Sequence, residues 1–169
     1  DWVLADQNSQ KLFHTIGLNP FFYSSEEIVE ILETSDLAGE KTKVNQVFFY
    51  GAGCSSDYYR NIVSEGLQAV FPKTEVHVSH DLDGAAFATC EGKPGIACIL
   101  GTGSNSCYFD GKQIHEERPA LGYILGDEGS GSYYGKILLR IFLYKQLPEN
   151  IHQEFEKEYQ LTKAEIFEN

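Results

Sequence analysis

Gly95 to Gly111 reads GIACILGTGSNSCYFDG, and the fold turns on what this stretch is. An apolar run, Ile96 to Leu100, is broken by Gly101-Thr102-Gly103-Ser104-Asn105, and a second run, Cys107 to Phe109, follows. Apolar run, small polar turn, apolar run is the pattern of two adjacent strands joined by a loop. This loop is longer than a hairpin needs and carries two glycines with three small hydrogen-bonding side chains. Glycine lets backbone N–H groups crowd an anion, and Thr and Ser hydroxyls add donors, so such a loop can cradle phosphate. An ordinary Gly-rich hairpin turn is the other reading, and the loop alone leaves both open.

Toward the N-terminus, Glu75 to Ser79 predicts a short strand, followed by His80-Asp81-Leu82-Asp83-Gly84 and a small-residue helix, Ala85 to Cys90. Val44 to Tyr50 is an aromatic, apolar strand of the kind buried in a parallel sheet. It ends in Gly51-Ala52-Gly53-Cys54-Ser55-Ser56-Asp57, and a helix from Tyr58 to Phe71 follows, stopped by Pro72. Ser24-Ser25 caps an amphipathic helix through Leu32 with acids in its first turn. Asp1 to Asp6 and Lys11 to Ile16 read as a hairpin about the polar turn Gln7 to Gln10, and Gly17 to Pro20 as a loop. Toward the C-terminus, Lys112 to Glu117 predicts one more strand and Ala120 to Gly131 a glycine-rich loop. Ser132 to Gln146 is a helix, and the charged tail from Asn150 is helical, with Thr162 to Glu165 fitting a capping box. Strands alternate with helices through the middle and hairpins lie at both ends, which is an α/β domain with a mixed sheet flanked by helices. Ligands in such sheets sit at the carboxyl ends of strands. The Gly-containing loops after Tyr50, Ser79 and Leu100 all fall there.

At 169 residues the chain is one domain of ordinary size, able to bury a real core. Its formal net charge of -12 argues against nucleic acid and against anionic membrane surfaces, which call for basic patches. It does not argue against a nucleotide, because loops and helix ends bind phosphate through local dipoles. No apolar run approaches membrane-spanning length and no signal-peptide pattern is present. The four cysteines form no CxxC pair and have no His at zinc-like spacing. They read as reduced, buried thiols of a cytoplasmic protein.

Asp81 follows a strand and precedes a helix, so a carboxylate is expected at the sheet's carboxyl edge. There it suits a general base that takes the proton from an attacking hydroxyl. The competing role is an N-cap for the Gly84 to Cys90 helix, and Asp83 competes for either. Gly126-Asp127-Glu128-Gly129-Ser130 is a second acidic site, either a ligand contact through Asp127 or a capping segment for the next helix. Asn19 before Pro20 is a polar contact or a turn residue. His14 and His80 read as structural.

HDLDGA (His80 to Ala85), ILGTGSNS (Ile99 to Ser106) and GYILGDEGSGSYYG (Gly122 to Gly135), in this order and spacing, resemble the N-acetylglucosamine kinases. Those belong with the BadF/BadG/BcrA/BcrD-type ATPases in the superfamily of sugar kinases, actin and heat-shock chaperone ATPases. The resemblance implies a ribonuclease H-like fold and ATP-dependent phosphorylation of an amino sugar, N-acetylglucosamine foremost and N-acetylmuramic acid next. By the same resemblance Asp81 is the base for the sugar 6-hydroxyl. Gly101, Thr102, Gly103 and Ser104 form the second phosphate loop for ATP, and Asn19, Gly53, Asp81 and Asp127 contact the sugar. It also suggests a homodimer, and Mg²⁺ accompanying ATP.

Where the family pattern departs, expectations change. Residues 1–147 are expected to be the N-terminal ATPase domain without its first strand and first phosphate loop, which carries the aspartate tied to Mg²⁺. Residues 148–169 are expected to be the helical start of a second domain, so this chain alone is expected to be inactive. A Gly-Trp pair common in the sugar kinases is replaced by Ala120-Leu121. Two other readings share the fold. An ATPase that activates a radical dehydratase would need a cluster cysteine, for which Cys54 in its glycine-rich turn is the candidate. A non-catalytic sugar sensor would need its base replaced, and Asp81 is present.

Overall fold

The computed structural model describes residues 1–168. It contains seven strands, β1 (Trp2–Ala5), β2 (Gln10–Phe13), β3 (Gln46–Gly51), β4 (Glu75–His80), β5 (Gly95–Leu100), β6 (Ser104–Phe109) and β7 (Ile114–His115). The helices are α1 (Ser25–Glu33), α2 (Asp57–Val70), α3 (Asp81–Cys90), α4 (Gly122–Leu125), α5 (Gly131–Leu143), α6 (Glu149–Tyr159) and α7 (Lys163–Glu168), with a 3₁₀ segment at Asp36–Lys43. The class is α/β. Among the described residues the strands group into three small sheets: β1-β2 antiparallel, β3-β4 parallel, and β5-β6-β7 with β6 and β7 antiparallel. The chain divides into two compact units, Asp1–Ala97 with Tyr108–His115, and Cys98–Cys107 with 116 onward. The division passes through β5 and β6.

In the first unit, local chemistry sets the element ends. Asp6 closes the β1-β2 turn by accepting the N–H groups of Asn8 and Ser9 (2.7 and 2.8 Å). The second strand is shorter than Lys11 to Ile16, because pairing ends at Trp2↔Phe13. Beyond it Thr15 accepts the Trp2 indole N–H (3.0 Å) instead. Ser24 caps α1 in a reciprocal box with Glu27, satisfying N–H groups that a helix start leaves open. Ile28 and Leu32, four residues apart, share the inward face of α1, while Val63, Leu67 and Val70 do the same on α2. With Leu18, Leu37, Val47, Cys54 and Phe71 they form the core. Each large aliphatic side chain so buried contributes about 1.5–3 kcal/mol. The helix α2 is the crossover that lets β3 and β4 run parallel, from Gln46↔Glu75 to Gly51↔His80.

Several sequence expectations shift by a few residues. Lys112 to Glu117 yields only the two-residue β7, because the turn before it is built around Asp110, which accepts the N–H groups of Lys112 and Gln113 (2.8 Å each). The loop Ala120 to Gly131 contains the single turn α4, whose Leu121, Tyr123, Ile124 and Leu125 surroundings are exposed. None of the four cysteines is in a disulfide, but Cys98 is exposed beside Ile96 and Leu100 on the open face of β5 rather than buried. In the second unit Ser130 caps α5, and Phe142 packs on His152 and Phe155 of α6 at ring distances of 4.6 Å. The Thr162–Glu165 box opens α7 as the spacing predicts.

Candidate functional site

The candidate residues fall into two groups, one in each unit. In the first, Asp81 lies at the carboxyl end of β4, as the alternation of strands and helices requires. It does not precede α3; it is the helix's first residue, and His80 is the N-cap. Asp83, two residues on, accepts the His80 N–H (3.2 Å) and closes the helix start. The capping work that competed for Asp81 therefore falls to Asp83. Helix α3 is pressed onto β3: a Cβ on Gly84 would sit 2.8 Å from Tyr50, and the Tyr50 and Phe87 rings meet edge-on at 6.1 Å. The Asp81 carboxylate is about one-third exposed and lies 3.0 Å from the His80 imidazole Nε2. A carboxylate held at a strand end, desolvated on one side and open on the other, can accept a proton from a bound hydroxyl.

Asn19 and Gly53 come together in the same unit. The Asn19 side-chain oxygen accepts the Phe21 N–H (3.0 Å), and its backbone oxygen accepts from Phe22 and Tyr23 (2.9 and 3.2 Å). Gly53 has φ +85°, a left-handed conformation that favours glycine, and a Cβ there would lie 2.4 Å from the Asn19 Oδ1. The turn thus closes directly onto Asn19. A cleft of about 370 Å³ opens here, lined by Asn19, Gly51 and Ala52 with Trp2, Thr15 and Tyr50. Cys54, next in the chain, is fully buried. Burial pushes its thiol pKa up, the Asp81 carboxylate pushes it further, and Arg60 offsets part of this.

In the second unit the loop of the opening stretch is tighter than its composition suggests. Ser104 and Asn105 belong to β6, leaving Gly101-Thr102-Gly103 as the connection. The Gly101 N–H bonds the Gly103 carbonyl (3.0 Å). The segment from Asp127 to Ser132 is stitched beneath it. Gly131 and Ser132 donate their N–H groups to the carbonyls of Gly101 and Thr102 (2.8 and 3.2 Å). Asp127 Oδ1 accepts the Ser104 N–H (3.1 Å), and the Ser104 hydroxyl donates to the Glu128 carbonyl (3.1 Å). Asp127 itself has φ +59°, a region that Asp tolerates better than most residues. Its carboxylate oxygens would lie 3.0 and 3.1 Å from a Cβ on Gly103. The first N–H groups of α5 are consumed by these loop carbonyls and by the Ser130 side chain, so this helix start offers no anion site. What stays open is the loop's outer rim: exposed Thr102, and Gly101 with nothing within 4 Å of a Cβ. A cleft of about 760 Å³ adjoins it, lined by Leu100, Asn105, Arg118, Leu121, Asp127 and Glu128.

The sequence marks His80 as a structural residue. Its contact with Asp81 was visible only as adjacency, since neighbours on a strand point to opposite faces and meet here because the helix begins between them. Among the described residues no group of three or more His, Cys, Asp or Glu could hold a metal ion, and no helix is long and apolar enough to cross a membrane.

No protein-family model matches the sequence, and no curated protein does. Among solved structures it is similar to a Porphyromonas gingivalis protein provisionally described as an N-acetylglucosamine kinase. The identity is 41%, with a TM-score of 0.91 over 99% of this chain and 61% of that one. This chain shares that protein's fold. It spans about three-fifths of that protein's length.

Proposed function

We propose that the protein at its full length is an ATP-dependent kinase that phosphorylates an amino sugar, N-acetylglucosamine foremost, at its 6-hydroxyl. The observation that carries this is the 41% identity over 99% of the chain with a protein provisionally described as such a kinase. The three motifs and the placement of Asp81 at a strand's carboxyl end support it. In this reading the fold is ribonuclease H-like and the protein stands with the BadF/BadG/BcrA/BcrD-type ATPases, in the cytoplasm, as a homodimer. Asp81 takes the proton of the 6-hydroxyl as the sugar oxygen bonds to the γ-phosphorus and the bond to the ADP oxygen breaks. Asn19, the Gly53 turn and Asp127 contact the sugar. The rim of Gly101, Thr102 and Gly103 meets phosphate oxygens, and Ser104, whose donors are spent on Asp127 and Glu128, anchors the loop from behind. The open space over Gly101 and the exposed Thr102 hydroxyl suit such an anion. Mg²⁺ would accompany ATP; no cluster among the described residues is suited to hold it, so none is assigned to it.

Positioning and charge stabilisation dominate phosphoryl transfer, and a placed base adds roughly 10²- to 10⁴-fold. A coupled ADP-release assay across amino sugars tests the reading: turnover is expected with N-acetylglucosamine, and Asp81→Asn should lower kcat by a factor in that range. Normal turnover in Asp81→Asn would remove the base assignment. The activator reading gains nothing from the structure's Cys54, whose side chain is fully buried within the core of the first unit rather than set at a surface that a second subunit could share.

A further inference from the structure

We infer that His80 is a positioning residue for Asp81, fixing one carboxylate oxygen so that the other meets the acceptor hydroxyl. The inference rests on Asp81 being the base. His80 ends β4 and Asp81 begins α3, so their backbones are held by a parallel ladder on one side and a helix on the other. The His80 N–H is pinned to the Asp83 carboxylate (3.2 Å), which fixes the residue from which the ring extends. Its Nε2 lies 3.0 Å from Asp81 Oδ1, and the imidazole is only 16% exposed, against 32% for the carboxylate. A long-chain donor in solvent would lose such a contact to water; a ring with two torsions, mostly enclosed, keeps it at small entropic cost.

The other charged and titratable groups around the carboxylate do not take this role. Cys54, from the turn after β3, feels the Asp81 charge but is a buried thiol. Arg60, from α2, spends its guanidinium on the Cys54 carbonyl (3.0 Å) and on Asp57 (2.6 Å). Asp83, on α3 itself, is an acceptor engaged by the His80 backbone. His80 is thus the side chain within ion-pair distance of the Asp81 carboxylate among the described residues. Orientation of a base matters because proton transfer needs the accepting oxygen within hydrogen-bond reach of the hydroxyl, and a misplaced group loses rate rather than substrate affinity.

The test uses the full-length protein and three variants. His80→Ala should lower kcat by about tenfold, the worth of a close contact to a charged group that tightens as the hydroxyl binds, with KM for the sugar changed by less than about threefold. His80→Gln, whose side-chain N–H reaches the same place, should recover most of that loss. In nitrogen-resolved NMR, the wild-type His80 Nε2–H should give a resonance protected from solvent exchange, absent in Asp81→Ala. Equal losses in His80→Ala and His80→Gln, a rise in KM with kcat unchanged, or a His80 resonance indifferent to Asp81→Ala would each overturn the inference. Should His80→Ala fail to fold, the glutamine variant and the wild-type resonance still decide. Failure of the kinase reading looks different: there no amino sugar drives ADP release in the wild-type protein, while the resonance still responds to Asp81→Ala.

Discussion

Replacing Gly53 by alanine probes the turn that closes on Asn19, and its cost can be worked from two observations. The backbone there has φ +85°, and holding an L-residue in left-handed space costs about 1–2 kcal/mol. The new methyl would arrive 2.4 Å from Asn19 Oδ1, a distance no real Cβ sustains against a fixed neighbour, and a tight 3.0 Å from the Phe21 ring. Asn19 must therefore swing away and release the Phe21 N–H, a bond worth about 0.5–1.5 kcal/mol net. Loss of glycine's freedom in the unfolded chain returns about 0.4–1 kcal/mol. The balance is a destabilisation of about 2 kcal/mol. Urea unfolding followed by the fluorescence of Trp2, the chain's one tryptophan, should show a midpoint lower by about 1 M, given slopes near 2 kcal/mol/M. In an Asn19→Ala background the methyl no longer meets the amide, so the same substitution should cost about 1 kcal/mol less, a coupling that a double-mutant cycle resolves. A cost below about 0.5 kcal/mol would refute the backbone argument. An equal cost in both backgrounds would refute the claim that Asn19 is what the turn closes on.

Other perturbations act elsewhere. Leu67→Ala empties a fully buried position between α1 and α2 and should cost about 2–5 kcal/mol by denaturant unfolding. Asp127→Ala removes the acceptor of the Ser104 N–H, and amide exchange at Ser104 should quicken about tenfold or more, whereas Asp127→Asn keeps most of the protection. Asp110 is held down to a pKa of about 2, first by the His115 imidazole and then by the N–H groups of Gln113 and Lys112. A carboxylate depressed in the folded state lends stability that is present above its unfolded pKa and lost as pH falls toward the folded one. The stability gap between the protein and Asp110→Asn should therefore be largest above about pH 4 and shrink toward pH 2, as read from unfolding midpoints across that range.

Much of the first unit was legible because its signals are local. Ser24 with Glu27 is a capping box, Ile28 and Leu32 mark one helix face, and the run Val44 to Tyr50 announces a strand, although it is covered on one face only, with Val47 buried and Phe48 and Tyr50 exposed. The boundary at Asp81 was not, for a physical reason. Asp is a good cap and His a poor one, so the sequence placed the helix start after the aspartates; in the structure Asp83 reaches back to cap the start from its third position. The expected burial of Cys98 fails for a different reason. A continuous apolar run announces two buried faces, but which face is covered is settled by tertiary packing, and Ile96 and Leu100 remain 74% and 69% exposed beside it.

The loop from Gly101 to Gly103 looks self-contained in the sequence, yet its shape is set by residues more than twenty positions later. Asp127 meets two demands at once. It holds φ +59°, and its carboxylate takes the N–H of Ser104 at the loop's exit. Glycine would satisfy the first and not the second, and alanine or glutamate would strain the first. Aspartate and asparagine satisfy both, because a short polar side chain tolerates left-handed space and reaches a nearby backbone donor. With Gly131 and Ser132 bonded to the loop carbonyls as well, the GTG turn and the GDEGS segment are one built object. A glycine-rich turn held by its own residues alone would be flexible. Held from beneath by Asp127, Gly131 and Ser132, with Gly101 and Thr102 left open on the rim, it presents a fixed edge, which is the property a ligand-gripping loop needs and a hairpin turn does not.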